Sequence, residues 1–262
     1  GNCGPEPPPA LGAVACAPGV DCNELNDNIN EDGSGNPTAG STIEMADDGL
    51  HFSQSVQLER MSMRGNHAQH VFGSSSTGNF GGSQDFTSRD TLIAGNVLSG
   101  EVISFVNGYA ATVDRSTIAG NSIGTGFVLL IDGDLGTLTN SIIDQPGHST
   151  LDFNSASNNN LTANYVLATE TFELGTRTGV MQGEPTFVDA ANGNYRLAYG
   201  SLGIDFAPAG TGLDLDRKPR TVDLPSVSDL YGPMDLGAYE LQTDPVCSAS
   251  DDIFCNGFES TQ

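Results

Sequence analysis

Bases and aromatic residues are scarce in this sequence, and tryptophan is missing. The 262 residues include 9 Lys and Arg against 33 Asp and Glu, which leaves a formal net charge of −24. Such an acidic chain repels polyanions, so nucleic acid is excluded as a partner. Aromatic residues make up only 7% of the chain, which gives little support to a groove where sugars stack on aromatic rings.

Long apolar stretches and helical periodicity are also missing. No stretch approaches 18 consecutive apolar residues, so the sequence predicts no membrane span. No apolar period of 3.6 residues is sustained, which makes helix a minor component. The sequence instead contains short segments of alternating polarity, broken by Gly, Asn and Asp. These features predict an all-β fold.

Cysteine is absent from the middle of the chain. Cys3 lies near the N-terminus, followed by Cys16 and Cys22, and Cys247 and Cys255 lie near the C-terminus. In an oxidising compartment the simplest arrangement is a disulfide Cys16–Cys22 and a disulfide Cys247–Cys255, with Cys3 left over. Spacing alone leaves the other pairings open, and zinc is disfavoured because no C-x-x-C pair occurs. This usage predicts an exported, extracellular protein.

A repeat of about 25 residues is the most informative feature. The segment 91–96 recurs 25 residues later as 116–121, and again, in degraded form, as 141–145. An earlier copy, 61–66, lies 30 residues before the first, with the Gly/Ser-rich stretch 73–82 as the expected insertion. Three short strands per repeat, stacked about 4.8 Å apart, predict a right-handed parallel β-helix.

The repeat region defines the expected domains. Residues 41–187 have room for about six coils. Residues 1–40 form a Pro/Gly-rich N-terminal segment laid on the first coil, residues 188–242 a C-terminal cap, and residues 243–262 a Cys-containing tail. A stack of coils cannot end bare, because its last coil exposes unpaired backbone groups and an apolar cross-section.

The 25-residue spacing also predicts which polar residues touch. Asn66, Asn96 and Asn121 fall at equivalent positions of successive repeats. Asn tolerates left-handed backbone better than most non-glycine residues, and its side chains form hydrogen-bonded ladders. We therefore expect these three residues to stack at equivalent bends.

Two pairs of opposite charge are predicted beside one bend of the coils. An odd separation between the flanking apolar residues requires a bend near Arg115. At 25-residue spacing Arg115 then stacks on Asp90, and Arg89 stacks on Asp114. As exposed pairs they are expected to contribute about 0.2 to 1 kcal/mol each.

Four motifs follow one another in order near the C-terminus, over about 60 residues. They are Gly183–Leu197, Gly200–Asp205, Asp214–Arg220 and Asp235–Glu240. Together they resemble the closing segment of bacterial exported β-helix proteins with a choice-of-anchor Q type C-terminal domain. The resemblance implies a β-helix cap on a secreted or surface-attached protein, and it implies no activity. The family usually has Gly-Asn-Pro-Arg where this chain has 217–220, Arg-Lys-Pro-Arg, so the tight turn there is expected to differ.

Candidate catalytic and metal-binding residues were sought because β-helices often carry polysaccharide lyases and hydrolases. Asp132 and Asp134, with Arg115 as a base, are the candidate catalytic cluster, although Asp-Gly-Asp-Leu-Gly is also ordinary turn composition. A Ca²⁺ site from three further carboxylates is an alternative to a structural hairpin at the cap. Those three are Asp214, Asp216 and Asp223. No other metal or cofactor is predicted.

The preferred function is that of an exported or surface-associated, non-catalytic β-helix protein with an adhesive or structural role. Its ligand would be a surface polysaccharide or a protein. The alternative is a polysaccharide lyase or glycoside hydrolase on the same scaffold. The leftover cysteine and the two unequal ends also predict head-to-tail homo-oligomers joined through the termini.

Overall fold

The computed structural model describes residues 23–46, 54–75, 84–153, 160–170, 172 and 175–243. All five cysteines lie outside these residues, and so do both predicted disulfides and most of the predicted insertion at 73–82. Within the described ranges the regular structure is β-strand apart from one short 3₁₀ helix. No helix in these ranges has the length and apolar character needed to cross a membrane.

The strands follow in chain order. They are β1 (Asn23–Glu24), β2 (Ile43–Ala46), β3 (Gln54–Glu59), β4 (Met61–Arg64), β5 (His67–Ala68), β6 (Phe72–Ser75), β7 (Gln84–Arg89), β8 (Leu92–Ala94), β9 (Val97–Leu98), β10 (Ile103–Asp114), β11 (Thr117–Ala119), β12 (Ser122–Ile123), β13 (Phe127–Asp144), β14 (Ser149–Phe153), β15 (Leu161–Ala168), β16 (Thr176–Gln182), β17 (Phe187–Asp189) and β18 (Asn194–Leu197), with the 3₁₀ helix Ala190–Asn192 between the last two.

Parallel pairing between strands one repeat apart builds the stack. On one face, β1, β4, β8, β11, β13, β15 and β16 lie side by side in that order. Thr117 pairs with Leu92 on one side and with Ile142 on the other. The prediction of an almost all-β fold with parallel sheets is confirmed, and the pairing follows the 25-residue repeat.

Alternation along each short strand fills the interior of the stack. Met63, Ile93, Ile118 and Ile143 pair in register and are almost fully buried in one apolar cluster. Phe72 and Phe86 stack in the same cluster with ring centroids 4.0 Å apart. This column of side chains removes the apolar face of every coil from water.

The outer face of the same strands is also apolar. Leu92, Ile142 and Leu167 point away from the interior and are buried by later parts of the chain. Two adjacent apolar residues in one strand, such as Leu92 and Ile93, indicate a sheet buried on both faces. The covering layer is residues 187–242, which we call the flank segment.

The flank segment was predicted to close the end of the stack, but its contacts lie along the side. Gly237 donates its N–H to the Asn140 carbonyl at 2.9 Å, and Ala238 donates to Thr117 Oγ1 at 2.9 Å. Tyr195 and Tyr239 pack in the cluster that contains Leu92. The physical reason is the apolar outer face, which needs a cover as much as the last coil does.

At the N-terminal end of the stack, Asn23 of the segment 1–40 pairs in parallel with Met61 of the next coil. At the other end, Thr162 pairs with Thr176, so the last turn of chain is much shorter than 25 residues. Phe172, within this short turn, packs into the interior cluster.

Candidate functional site

An amide ladder runs through the stack. Asn66 Nδ2 donates to Asn96 Oδ1 at 2.8 Å, and Asn96 Nδ2 donates to Asn121 Oδ1 at 2.8 Å. The structure thus brings the three predicted asparagines together. It also extends the column, since Asn28 donates to Asn66 at 2.8 Å and Asn121 donates to Gln145 Oε1 at 3.1 Å.

The reason given for these asparagines needs correction. The left-handed residue is not Asn but the glycine before it, with φ of 63° at Gly65, 65° at Gly95 and 59° at Gly120. Glycine takes this conformation without steric cost. The asparagine that follows is buried, and its side chain also donates to a carbonyl of the preceding coil. Asn121 donates in addition to the Ala119 carbonyl of its own turn at 3.2 Å.

The bend predicted near Arg115 is present and is left-handed. Asp90 has φ of 51°, Arg115 46° and Asn140 50°, one in each successive coil. Arg115 Nε lies 2.8 Å from Asp90 Oδ1, and Arg89 Nε lies 3.3 Å from Asp114 Oδ2. Both predicted pairs are therefore in contact.

The first of these pairs is not the exposed pair that the sequence suggested. Asp90 is 2% exposed, because Arg220 of the flank segment covers it. Arg220 is fully buried, and its Nη2 donates to Asp90 Oδ1 at 2.8 Å. One carboxylate thus binds Arg115 of the next coil and an arginine 130 residues away. Arg220 belongs to the third C-terminal motif, but its spacing from Asp90 predicts no contact between them.

The candidate catalytic residues do not form one cluster with Arg115. Asp132 and Asp134 lie within β13, not in a turn. Asp132 pairs with Val106, whereas Arg115 donates its N–H to the Thr139 carbonyl, seven residues further along β13. Arg115 contacts Asp90 and Asp114 instead.

The three carboxylates proposed as Ca²⁺ ligands separate into different contacts. Asp214 accepts from the N–H groups of Lys218 and Glu240, at 2.8 and 3.0 Å. Asp216 forms an ion pair with Arg196. Asp223 lies with two other acids, described below. The proposed set is therefore not one site.

Four buried carboxylates hold the flank segment together. Asp235 accepts from the N–H groups of Asp205 and Leu241, at 2.9 and 2.7 Å. Glu240 accepts from those of Val222 and Asp235, at 2.9 and 3.1 Å. With Asp214, these residues satisfy backbone groups that have no strand partner. Asp205 is the fourth, and its Oδ2 accepts from Leu224 N–H at 3.3 Å.

Burial shifts the protonation of these acids. Burial, and then the neighbouring Asp235 carboxylate, raises the pKa of Glu240 to about 9. The same two causes raise the pKa of Asp205 to about 7. Burial also raises the pKa of Asp235 to about 6, although N–H donors and Arg220 act in the other direction.

A group of three acids forms at one end of the flank segment. One carboxylate oxygen from each of Asp205, Asp223 and Asp229 lies within 4.8 Å of those of the other two. Asp205 is buried, whereas Asp223 and Asp229 are exposed. Of these three acids only Asp223 was predicted as a metal ligand, because no spacing rule joins residues of an irregular segment.

The two histidines closest in sequence contact different acids. His67 Nδ1 contacts Glu31, and His70 Nδ1 lies 3.4 Å from Glu101.

Comparison of the chain with models of protein families, with curated proteins and with solved structures gives no match. The contacts described above therefore carry the functional argument.

Proposed function

We propose that this chain is an exported or surface-associated, non-catalytic β-helix protein with a structural or adhesive role. The observation that carries the proposal is that charged side chains on the stack are bound to one another. Arg115, the candidate base, is bound to Asp90 and Asp114, and Arg220 closes the same network from the flank segment. These groups stabilise the molecule and are not free to act on a substrate.

The fold that supports this role is a right-handed parallel β-helix of about six coils. Seven strands lie side by side on one face, and parallel neighbours one repeat apart are typical of such a stack. Crossover connections between parallel strands of one sheet are right-handed in nearly all proteins.

We propose that the flank segment is a choice-of-anchor Q type domain. Asp205, Asp214, Asp235 and Glu240 all fall in the motifs that carry the resemblance, and each of them accepts backbone N–H groups. The motif residues thus share one structural role, which is to accept hydrogen bonds from backbone N–H groups of the flank segment. The resemblance supports a location at the bacterial cell surface or outside the cell.

An adhesive ligand would bind to the long strands β10 and β13. Tyr109 on β10 is 47% exposed and Asp134 on β13 is exposed, and the strands pair on either side of these two residues, at Gly108 with Gly133 and at Ala110 with Leu135. An exposed aromatic ring beside an exposed carboxylate suits the face and the hydroxyls of a surface polysaccharide.

A turnover and binding screen tests the proposal. The purified chain is incubated with acidic and neutral polysaccharides, and unsaturated and reducing ends are measured. We expect no turnover, and binding that is weakened by Tyr109→Ala but not by the control Tyr199→Ala. Turnover that disappears in Asp132→Ala would contradict the proposal and favour the alternative, a polysaccharide lyase or glycoside hydrolase.

Head-to-tail assembly through the termini is a further part of the proposal. It rests on the odd number of cysteines, which lie outside the described residues. Non-reducing electrophoresis and light scattering test it. A monomer of 27.2 kDa with one free thiol at all concentrations would exclude it.

A further inference from the structure

The acids Asp205, Asp223 and Asp229 are brought together by the path of the chain around one residue. Leu224 N–H donates to Asp205 Oδ2 at 3.3 Å, and Leu230 N–H donates to the Asp205 carbonyl at 2.9 Å. Both ends of the loop 224–230 are therefore tied to Asp205. Asp223 and Asp229 each lie next to one of these anchors, so the fold itself positions their carboxylates beside that of Asp205.

Asp205 is the one buried acid of the group, and half of its carboxylate has no hydrogen bond. Its side chain is 0% exposed, and Oδ1 has no partner among the described residues. The carboxylates of Asp214, Asp235 and Glu240 each accept with both oxygens. A buried oxygen left without a donor is costly and points to a ligand outside the protein chain.

The charges around Asp205 favour a cation as this ligand. The charged residues that shift its pKa are Asp235, Asp229 and Asp223, and all three are acids that raise it. Three carboxylates within 4.8 Å of one another repel when ionised. A divalent cation between them would offset this repulsion and would take the buried carboxylate of Asp205 as one of its ligands.

We propose that Asp205, Asp223 and Asp229 bind a Ca²⁺ ion. The donors are carboxylate oxygens alone, which suit a hard cation and not Zn²⁺, which prefers nitrogen and sulfur. Ca²⁺ takes six to eight oxygens in a flexible geometry, and two exposed ligands leave room for water to complete the shell. Mg²⁺ needs nearly ideal octahedral geometry and gives up its water reluctantly.

The bound ion would fasten the loop 224–230 to the buried part of the flank segment. This loop lies beside the ring contact between Phe206 and Tyr231, whose centroids are 5.6 Å apart. Binding to the folded state alone raises the midpoint of thermal unfolding. The site therefore makes the stability of the protein dependent on calcium, as suits an extracellular medium rich in that ion.

Calcium titration of the full chain tests the site. The chain is freed of metal with EGTA and titrated with CaCl₂ by calorimetry, and its Tm is measured with and without calcium. The double variant Asp223→Asn/Asp229→Asn changes only exposed side chains. The double variant Asp132→Asn/Asp134→Asn removes the same charge from the coils and serves as the control.

We expect saturable binding of one Ca²⁺ and a calcium-dependent rise in Tm for the chain and for the control. Both should be lost in Asp223→Asn/Asp229→Asn. Equal responses of the two double variants, or no response of the unaltered chain, would overturn the proposal. An equal rise in Tm with MgCl₂ would overturn the assignment to Ca²⁺.

The buried ligand needs a separate measurement, because Asp205→Asn can also disturb folding. The fold of this variant is first checked by circular dichroism, and Tb³⁺ luminescence sensitised by tyrosine then reports occupancy in any variant that folds. Loss of the Tb³⁺ signal in folded Asp205→Asn supports the site, and full retention of the signal would overturn it. If Asp205→Asn does not fold, loss or retention of the signal in Asp223→Asn/Asp229→Asn decides.

Discussion

In the amide ladder of the stacked coils, each side chain bonds to a similar side chain one coil away, whereas the buried carboxylates Asp214, Asp235 and Glu240 of the flank segment bond to the backbone. Asn96 bonds to Asn66 and Asn121, each at 2.8 Å. Asp235 and Glu240 instead accept N–H groups from irregular chain. Coils pair their own backbone groups by repetition, so the ladder between them can be built from neutral, repeated amides. Backbone without strand partners needs acceptors from side chains, and carboxylates provide two each.

The difference has an electrostatic consequence. The amide ladder buries no charge, while the flank segment buries several carboxylates with raised pKa values. The hydrogen bonds of the amide ladder therefore persist over the whole pH range in which amides stay neutral. Buried carboxylates make the flank segment sensitive to pH and to cations. The predictions below separate the two regions on this basis.

The largest effect is expected where the two regions meet. Asp90→Ala leaves Arg220 buried and without its carboxylate partner. Losing one member of a buried ion pair costs about 3 to 5 kcal/mol. We expect the free energy of unfolding to fall by that amount in urea denaturation, with the flank segment becoming sensitive to protease before the coils.

The second charge pair at this bend is the matched control. The Arg89 side chain is 43% exposed in its contact with Asp114. Exposed ion pairs contribute about 0 to 1 kcal/mol, so Arg89→Ala should leave the flank segment docked. Similar losses for Asp90→Ala and Arg89→Ala would contradict the role of Arg220.

A smaller effect is expected within the amide ladder. Asn96→Ala removes the acceptor of Asn66 and a donor to Asn121, both in the interior of the stack. Each buried polar group left unpaired costs about 1 to 3 kcal/mol. We expect a loss of about 2 to 3 kcal/mol by urea denaturation at any neutral pH. Asn28 lies at the exposed end of the ladder, so Asn28→Ala should cost about 1 kcal/mol or less. An equal loss of stability in Asn28→Ala and Asn96→Ala would mean that the ladder is not buried.

The smallest effect, when it is taken over a single pH unit, is the change of stability with pH. Glu240 has a pKa of about 9 in the folded protein against an ordinary value of 4.5, so between these values the folded state holds a proton that the unfolded state releases. Stability is then highest near the ordinary value and is lost as the pH rises towards 9, by about 1.4 kcal/mol for each pH unit. Urea denaturation in EGTA measures this slope. The slope should persist in Asn96→Ala, and a stability that rises with pH over this range would contradict the assignment.

The repeated part of the fold could be predicted because it depends on spacing. Residues 25 apart carry the same side chain for the same contact, as Asn96 and Asn121 do. The predicted pairs of Asp90 with Arg115 and of Arg89 with Asp114 are present for the same reason. The prediction that the asparagines adopt the left-handed conformation was wrong, because the glycines before them adopt it. The Gly-Asn dipeptide recurs as a unit, so the spacing alone does not identify which of its two residues is left-handed.

The contacts of the flank segment could not be predicted from spacing. Arg220 reaches Asp90 across 130 residues, and nothing periodic relates them. The acids around Asp205 converge because of two backbone hydrogen bonds in an irregular loop. One signal was available: the adjacent apolar residues Leu92 and Ile93 indicate a sheet buried on both faces, and hence a covering layer.

The docking of the flank segment along the side of the stack sets a limit on how the chain can change in length. Its anchors at Asp90, Thr117 and Asn140 lie on three successive coils, so a duplicated coil inserted between them would separate contacts that a single rigid segment makes together. Arg64, on the coil before Asp90, donates to the Gly193 carbonyl of the flank segment at 2.8 Å, so the restraint extends to a fourth coil. Insertion or loss of a whole coil between Arg64 and Asn140 would therefore break this docking, whereas a coil added on the N-terminal side of Arg64 needs only to continue the column of amides.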